Sequence, residues 1–156
     1  MIVIYICVIA LAVILDQLFK YLVVMNLQGP GKVTAIPHVL DFVYVENRGI
    51  AFGWFKDSRL LFIITTLIVI VIFTVLLIKY WRKSKLFSLS AALIIGGGIG
   101  NLIDRIRLSY VIDYLQLSFF SPVCNFADYC ITAGTIMLIV YLLFFSNIDK
   151  KKKDLR

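Results

Sequence analysis

The chain has 156 residues, of which 62% are hydrophobic and 16% are charged, and its mean hydropathy is +0.97. Soluble domains are about 45–50% apolar and about 25% charged. This composition argues against a disordered chain, a disulfide scaffold and a soluble nucleic-acid binder. It predicts a single lipid-embedded domain, in which the net charge of +7 must be interpreted by position.

Long apolar runs occur along the whole chain. A hydrocarbon layer about 30 Å thick requires about 20 apolar residues in a helix. The first run qualifies if Asp16 and Lys20, which share one helix face, can pair inside it. We therefore expect an all-α membrane protein forming one integral domain over 1–156, with helices at about 1–25, 60–80, 86–107 and 127–147.

Basic residues are concentrated in two places. The link 79–85 contains four of the 16 Lys and Arg residues, and the tail 149–156 contains five. Because such clusters stay in the cytoplasm, we expect both termini inside and the segments 26–59 and 104–128 outside. The tail is interpreted as a topology anchor that meets anionic lipid, with no nucleic-acid partner. The first helix lacks a basic region before its apolar run, so we expect it to be retained rather than cleaved as a signal peptide.

The outward segment 26–59 has the composition of a small β element. Residues 33–45 are rich in β-branched and aromatic side chains, and turn-forming residues flank them on both sides. We therefore expect a small extracytoplasmic β element between helices 1 and 2, lying on the membrane. Trp54 and Phe55 are expected at the membrane interface.

Two carboxylates are candidates for chemistry, since ionisable groups at membrane depth are costly. Asp113 follows the outer end of the third helix, and Asp128 stands at the entry of the fourth, after a loop of 14 residues. Two carboxylates within hydrogen-bonding range cannot both ionise at neutral pH, so one keeps a proton while the other acts as a base. Such a pair can activate water and protonate a leaving amine.

Structural roles for the same residues remain open at this point. Asn125 and Asp128 have the spacing of a capping box, and Asp113 could be a solvated loop residue. Asp16 and Lys20 are expected to form a structural ion pair.

The run 96–100 contains a G-x-x-x-G pattern, which is typical of a close helix-packing face. Beside it, Asn101, Asp104 and Arg105 share one face of the third helix. These three residues could form a hydrogen-bonded cluster at the helix end.

Other chemistries have weaker support. His38 is the single histidine, and no H-E-x-x-H or C-x-x-C pattern is present, so neither a metal nor another cofactor is expected. Cys124 and His38 fall on the same side of the membrane, which leaves a thiol nucleophile open. The three cysteines have unrelated spacings and are more typical of apolar packing residues.

Five ordered blocks resemble the lipoprotein signal peptidase family, also called signal peptidase II, and the resemblance covers nearly the whole chain. The blocks are Asp16-Gln-Leu-Phe-Lys20, Asn47-Arg-Gly-Ile-Ala-Phe-Gly53, Gly100-Asn-Leu-Ile-Asp-Arg105, Val111-Ile-Asp-Tyr114 and Asn125-Phe-Ala-Asp128. Each block is weak alone. Their order, together with four spans and this length, is highly specific.

The resemblance implies a multi-pass aspartyl endopeptidase of the bacterial cell membrane, with its active site at the extracytoplasmic face. Its implied partners are membrane lipid and a diacylglyceryl-modified prolipoprotein, which is cut before the lipidated cysteine, and a monomer would suffice. The family's catalytic aspartates match Asp113 and Asp128. Its supporting polar residues match Asn47, Asn101, Arg105 and Asn125, with Asp16, Lys20 and Asp104 as structural partners.

The mechanism that follows from this resemblance is attack by water on the carbonyl before the lipidated cysteine. One aspartate removes the proton, a tetrahedral gem-diol forms, and the other aspartate protonates the departing nitrogen. A helix N-terminus favours an ionised carboxylate. Our hypothesis is therefore that Asp128 is the base and Asp113 carries the shared proton.

Two other classes serve as alternatives. In a small membrane transporter or ion-conducting subunit, the buried acids would line a path, but they cluster toward one face and no internal repeat is visible. In a non-enzymatic membrane scaffold, the polar blocks would serve folding alone. Asparagine at position 113 or 128 would then leave function intact.

Overall fold

Four long apolar helices form the body of the molecule, as predicted. The computed structural model describes residues 2–29, 31–49 and 59–145. Within these ranges each helix, α4 together with its continuation, is long and apolar enough to cross a membrane. The helices are α1 (Ile2–Leu27), α2 (Arg59–Tyr80), α3 (Lys85–Leu108) and α4 (Phe126–Val140), which continues into a π-helical turn, Tyr141–Phe145.

Helix α3 lies at the centre of the bundle and packs against the other three helices. In its most apolar stretch 72% of the residues are buried, against 6–17% in the corresponding stretches of the others. The outer helices therefore expose most of their apolar side chains. Such large exposed apolar surfaces are suited to lipid rather than to water.

Glycines allow α3 to approach its neighbours closely. Gly96 and Gly100 face α1, and a Cβ atom added at Gly100 would lie 2.5 Å from Oδ2 of Asp16. Gly97 faces α4 in the same way. The G-x-x-x-G run is thus a close packing face, as predicted.

A four-stranded antiparallel sheet is formed by the described residues outside the helices. Its core with α1 contains Val23 and Leu27 of the helix and Ile112 and Tyr114 of the third strand. The sheet therefore packs against the end of α1 that lies close to the start of α4. The strands pair in the order β1 (Lys32–Ile36), β2 (Leu40–Asn47), β3 (Val111–Leu117) and β4 (Val123–Cys124).

The sheet corrects one prediction. A β element is present where segment 26–59 predicts it, but β3 and β4 come from segment 104–128, in which we expected the end of the third helix and a loop between Asp113 and Asp128. The all-α class is therefore not confirmed. The short run Val111–Leu117 is interrupted by Asp113 and has a weak strand signal by itself. It becomes a strand because it satisfies the unpaired backbone groups along the edge of β2.

Two predictions concern residues that the structure does not describe. The interfacial positions of Trp54 and Phe55 fall in the range 50–58, and the basic tail 149–156 follows the last described residue. Both remain expectations from the sequence.

Candidate active site

The start of α4 positions Asp128. Asn125 is the N-cap of this helix, and its side-chain oxygen accepts a hydrogen bond from the backbone N–H of Asp128 at 3.0 Å. In return, Oδ2 of Asp128 accepts from the backbone N–H of Asn125 at 3.1 Å. The capping box predicted from the spacing is therefore present. It holds the half-buried Asp128 carboxylate close to Asn125.

Asn125 and Asn101 join Asp128 to Asp113. Asp113 lies in β3 and is 1% exposed. The Asn125 amide donates to Oδ1 of Asp113 at 2.6 Å and to Oδ1 of Asn101 at 3.1 Å. The Asn101 amide donates to Oδ1 of Asp128 at 2.8 Å. Two carboxylates from separate elements are thus held in one network by two neutral amides.

Asn47, the last residue of β2, completes the hydrogen bonding of Asp113. Its amide donates to Oδ2 of Asp113 at 2.6 Å, and its side-chain oxygen accepts from the backbone N–H of Gly49 at 2.8 Å. Gly49 has a φ of +92°, a left-handed conformation that glycine adopts without strain. The end of β2 therefore reaches the site through Asn47.

Lys20 supports the network through contacts with two carboxylates and one amide. Its ammonium, 2% exposed, lies 2.8 Å from a carboxylate oxygen of Asp16 and 2.8 Å from one of Asp104. It also donates to Oδ1 of Asn101 at 3.0 Å. The expected ion pair between Asp16 and Lys20 is present and extends to Asp104. Because an ammonium has three N–H donors, all of them are engaged here.

Asp16 and Asp104 each hold the backbone next to one of the two candidate catalytic residues. Asp16 accepts from the backbone N–H of Ala127 at 3.0 Å, and Asp104 accepts from that of Ile112 at 3.2 Å. These two N–H groups immediately precede Asp128 and Asp113 in the chain. Across the described residues, no buried side-chain nitrogen or oxygen lacks a hydrogen-bond partner. The site is therefore preorganised by α1 and α3.

Arg105 lies beside the network. Its guanidinium is half-buried, stands 5.4 Å from the centre of the Phe62 ring, and donates to the backbone carbonyl of Asn101 at 3.4 Å. The guanidinium also interacts electrostatically with the carboxyl groups of Asp128 and Asp113. All nine residues singled out in the sequence are thus gathered in one region, with Arg105 at its edge.

Sequence reasoning missed two residues that shape this region. The Gln17 amide donates to Asp104 at 3.0 Å and to the carbonyl of Gly100 at 3.2 Å, and its signal was its place between Asp16 and Lys20.

Arg59, the other missed residue, donates to the backbone carbonyls of Arg105 at 2.8 Å and of Ile106 at 2.7 Å. It thereby ties the start of α2 to the end of α3. The signal for such a contact is general, since the last carbonyls of any helix need donors.

The environment of Asp113 favours its neutral form. Burial raises the pKa of Asp113 to about 6, the hydrogen bond from Asn47 opposes this rise, and the charge of Asp128 adds to it. Because the two acids interact, they are expected to titrate as a pair. Such a pair can combine one proton with one free base near neutral pH.

The structure does not favour Cys124 as a thiol nucleophile. Burial, followed by the charges of Asp128 and Asp113, raises the pKa of Cys124, and a neutral thiol is a weak nucleophile. His38 is exposed in the turn between β1 and β2. In the described ranges, no group of three or more His, Cys, Asp or Glu side chains could hold a metal ion.

The family model described as Signal peptidase (SPase) II matches residues 8–144 of the chain. A lipoprotein signal peptidase of Caldanaerobacter subterraneus subsp. tengcongensis is 41% identical over 143 residues, covering 92% of this chain and 98% of the relative. That of Halothermothrix orenii is 44% identical over 137 residues, covering 86% and 92%. That of Enterococcus faecalis is 36% identical over 155 residues, covering 99% and 96%.

Solved structures agree with this assignment. Two bacterial membrane enzymes determined by the in meso method, each 28% identical in sequence, match with TM-scores of 0.77 and 0.79. The first match covers 89% of this chain and 87% of that structure, and the second covers 91% and 94%. The fold is therefore shared along nearly the full length. The chain belongs to the signal peptidase II family of bacterial membrane peptidases.

Proposed function

We propose that this enzyme removes the signal peptide from diacylglyceryl-modified prolipoproteins by cutting before the lipidated cysteine. Asp113 and Asp128 are the catalytic pair in this proposal. The observation that carries it is the bridge of Asn125 and Asn101, which joins one buried and one half-buried carboxylate. The names of the relatives supply the substrate class.

The proposed reaction needs a single proton on the pair. Asp128 takes a proton from a water molecule while the hydroxide attacks the carbonyl carbon before the lipidated cysteine. Asp113 then gives its proton to the departing nitrogen, and the tetrahedral intermediate collapses to a carboxylic acid and a free amine. The pair again holds one proton, now on Asp128. The raised pKa of Asp113 supports this order of roles.

The remaining polar residues position the pair and the substrate. Asn47 and Asn125 hold Asp113 by both oxygens, and Asn101 holds Asp128. Arg105 would orient the substrate backbone through hydrogen bonds that strengthen where water is excluded. Lys20 keeps Asn101 in place.

The distribution of charge supports an outward-facing site. The basic link between α2 and α3 and the basic tail favour a cytoplasmic location for both termini. The sheet and the catalytic pair then lie at the extracytoplasmic face. The lipidated substrate would reach this face through the bilayer, and a monomer is sufficient because both acids belong to one chain.

Family membership separates this proposal from the alternatives. A transporter or a passive scaffold would not be expected to share a peptidase model over residues 8–144. The polar network also lies toward one end of the bundle instead of forming a path through it, since its members come from the second half of α1, the last third of α3, the first turn of α4 and the sheet.

The decisive experiment supplies purified protein in detergent with a diacylglyceryl-modified prolipoprotein and follows loss of the signal peptide by mass spectrometry. Asp113→Asn and Asp128→Asn should each lower kcat/KM by about 100-fold or more, because each removes one partner of general acid–base catalysis. The matched control is Asp41→Asn, which removes an acid of β2 that pairs with the exposed Lys32. This control should cleave at the normal rate.

Thermal unfolding of each variant separates lost chemistry from lost folding. Full activity in either catalytic variant would overturn the assignment of the pair. Equal cleavage of the unlipidated precursor would overturn the proposed substrate. Activity should also survive a metal chelator, and loss on chelation would indicate a metal site.

A further inference from the structure

An apolar groove lies between α1 and the sheet and has a volume of about 510 Å³. We call it the α1–sheet groove. It is lined by Leu22 and Val23 of α1, by Val33 and Phe42 of the first two strands, and by Leu115 and Phe126. Its size falls in the range of small-molecule pockets, about 300–1,000 Å³.

The two polar side chains in the lining, those of Asn26 and Tyr114, each make a hydrogen bond with the backbone. The Asn26 amide donates to the backbone carbonyl of Leu22 at 2.7 Å. The Tyr114 hydroxyl accepts from the backbone N–H of Phe126 at 3.3 Å. An ordered water needs about two to four polar partners, so water is a poor occupant for this lining.

The groove is continuous with the lipid-facing surface of α1. Leu22 is 45% exposed, and Leu18, one turn earlier on the helix, is 46% exposed. On the sheet side, Val33 is 48% exposed. Exposed apolar surfaces of this kind are suited to hydrocarbon rather than to water. The neighbouring molecules that can enter the groove are therefore lipids.

The groove lies behind the catalytic pair. Asp113 and Tyr114 are adjacent in β3, so their side chains point to opposite faces of the strand. A substrate bond held at Asp113 is thus separated from the groove by β3 itself. This separation favours a lipid of the bilayer over the acyl chain of the substrate.

We propose that the α1–sheet groove binds an acyl chain of a membrane phospholipid. The chain packs against Tyr114 and Phe126, which directly follow Asp113 and Asn125. It fills the space behind the strand and the helix start that hold the catalytic pair. This binding site is independent of the cleavage reaction, so its test does not require activity.

The test uses vesicles of phosphatidylglycerol that carries a photoreactive diazirine in the middle of one acyl chain. The reconstituted protein is extracted into detergent, freed of bulk lipid and irradiated, and the adducts are mapped by mass spectrometry. Adducts should fall on Phe42 and Leu115, which are half-buried around the groove. Leu22→Trp fills the groove and should lower this labelling at least about tenfold, which corresponds to about 1.4 kcal/mol of binding free energy.

The matched control is Leu11→Trp, which should label like the wild type. Leu11 lies three turns from Leu22 on the same face of α1 and is 56% exposed. Val33→Phe fills the groove from the sheet side and should also lower labelling. This second variant keeps the test valid if Leu22→Trp does not fold. Unlabelled groove residues in the wild type, or labelling as strong as in the wild type in both filling variants, would overturn the proposal. Labelling seen solely with a photoreactive lipidated substrate would overturn it too, because the substrate chain would then be the occupant.

Discussion

At the scale of single residues, Asn125 shows why amides connect the two carboxylates. Its side chain caps α4 through its oxygen and donates to Asp113 through its nitrogen. A carboxylate at this position would lack an N–H donor and would add a third acid beside Asp113 and Asp128. The neutral amide therefore holds the acids together while leaving their protonation to their surroundings.

Asn47→Ala should move the alkaline limb of the cleavage profile to higher pH. Burial raises the pKa of Asp113 to about 6, and the Asn47 hydrogen bond opposes this rise. Without that bond the neutral form is favoured further, so Asp113 keeps its proton to a higher pH. Activity that depends on this proton is full below the pKa and falls as the pH rises through it. In a plot of kcat/KM against pH, the alkaline limb is expected to move by up to about one pH unit.

Glu46→Gln is the control for the Asn47 variant. Glu46 neighbours Asn47 in β2 but bonds to Arg48 and Tyr44, so its removal should leave the limb in place. A limb that stays fixed in Asn47→Ala, or moves to lower pH, would contradict the assignment of the shared proton to Asp113.

At the scale of elements, α3 organises the site because it contacts all the other helices. It supplies Asn101 and Asp104 to the network, and its glycines determine how closely α1 approaches. Helix α1 in turn supplies Asp16 and Lys20. The packing of α1 on α3 and the position of the proposed catalytic pair are therefore coupled.

Gly100→Ala should destabilise the protein by about 1–3 kcal/mol, the usual cost of overpacking. The added Cβ atom would lie 2.5 Å from Oδ2 of Asp16, whose carboxylate is held by Lys20 and Ala127 and cannot easily move. Unfolding in detergent, followed by near-ultraviolet circular dichroism, measures the loss.

Gly98→Ala is the matched control on the same helix. Its Cβ atom would lie 3.2 Å from Cγ1 of Ile70, so a shift of a few tenths of an ångström would relieve the contact. Alanine also favours a helix over glycine. The loss should thus be clearly smaller, and equal losses in the two variants would show that the contact with Asp16 does not limit helix approach.

Lys20→Met should be more damaging, with a loss of about 3–5 kcal/mol, because it leaves Asp16 and Asp104 buried without their cation. The comparison is Lys32→Met, which breaks an ion pair whose lysine is 56% exposed. That pair is expected to contribute little. Chemical unfolding in detergent measures both variants, and similar stability in the two would mean that the buried acids do not require Lys20.

At the scale of the whole molecule, two distant segments form one sheet. Strand β2 ends with Asn47, and β3 contains Asp113, so pairing of these strands brings the amide to the acid. The sheet then lies on the same side of the bundle as the start of α4. The site is thus assembled from α1, β2, α3, β3 and the start of α4, which are far apart in the sequence.

The proposed orientation predicts a labelling pattern in intact cells. Gly29→Cys, at a position with no atom within 4 Å of an added Cβ, should react with a membrane-impermeant maleimide. Arg82→Cys, in the exposed link between α2 and α3, should react after permeabilisation and not before. The background lacks the three native cysteines and must retain cleavage. The reverse pattern would place the site in the cytoplasm.

Local features were readable from the sequence. The four helices follow from uninterrupted apolar runs, because a backbone in lipid must satisfy its own hydrogen bonds. The capping box at Asn125 follows from a spacing of three residues, and the close packing at Gly100 from a spacing of four. Each of these features depends on neighbours within about one helical turn.

Tertiary structure alone decided the partners. Asp16 accepts from the backbone of Ala127, 111 positions away, and Gln17 donates to Asp104, 87 positions away. Val111–Leu117 forms a strand because it pairs with the edge of β2. Arg59 donates a hydrogen bond to a backbone carbonyl at the end of α3. Many pairings of amides, acids and amines would satisfy the same hydrogen-bonding needs. Which of them forms depends on how closely the helices pack and where the strands meet, and neither property is contained in any single segment.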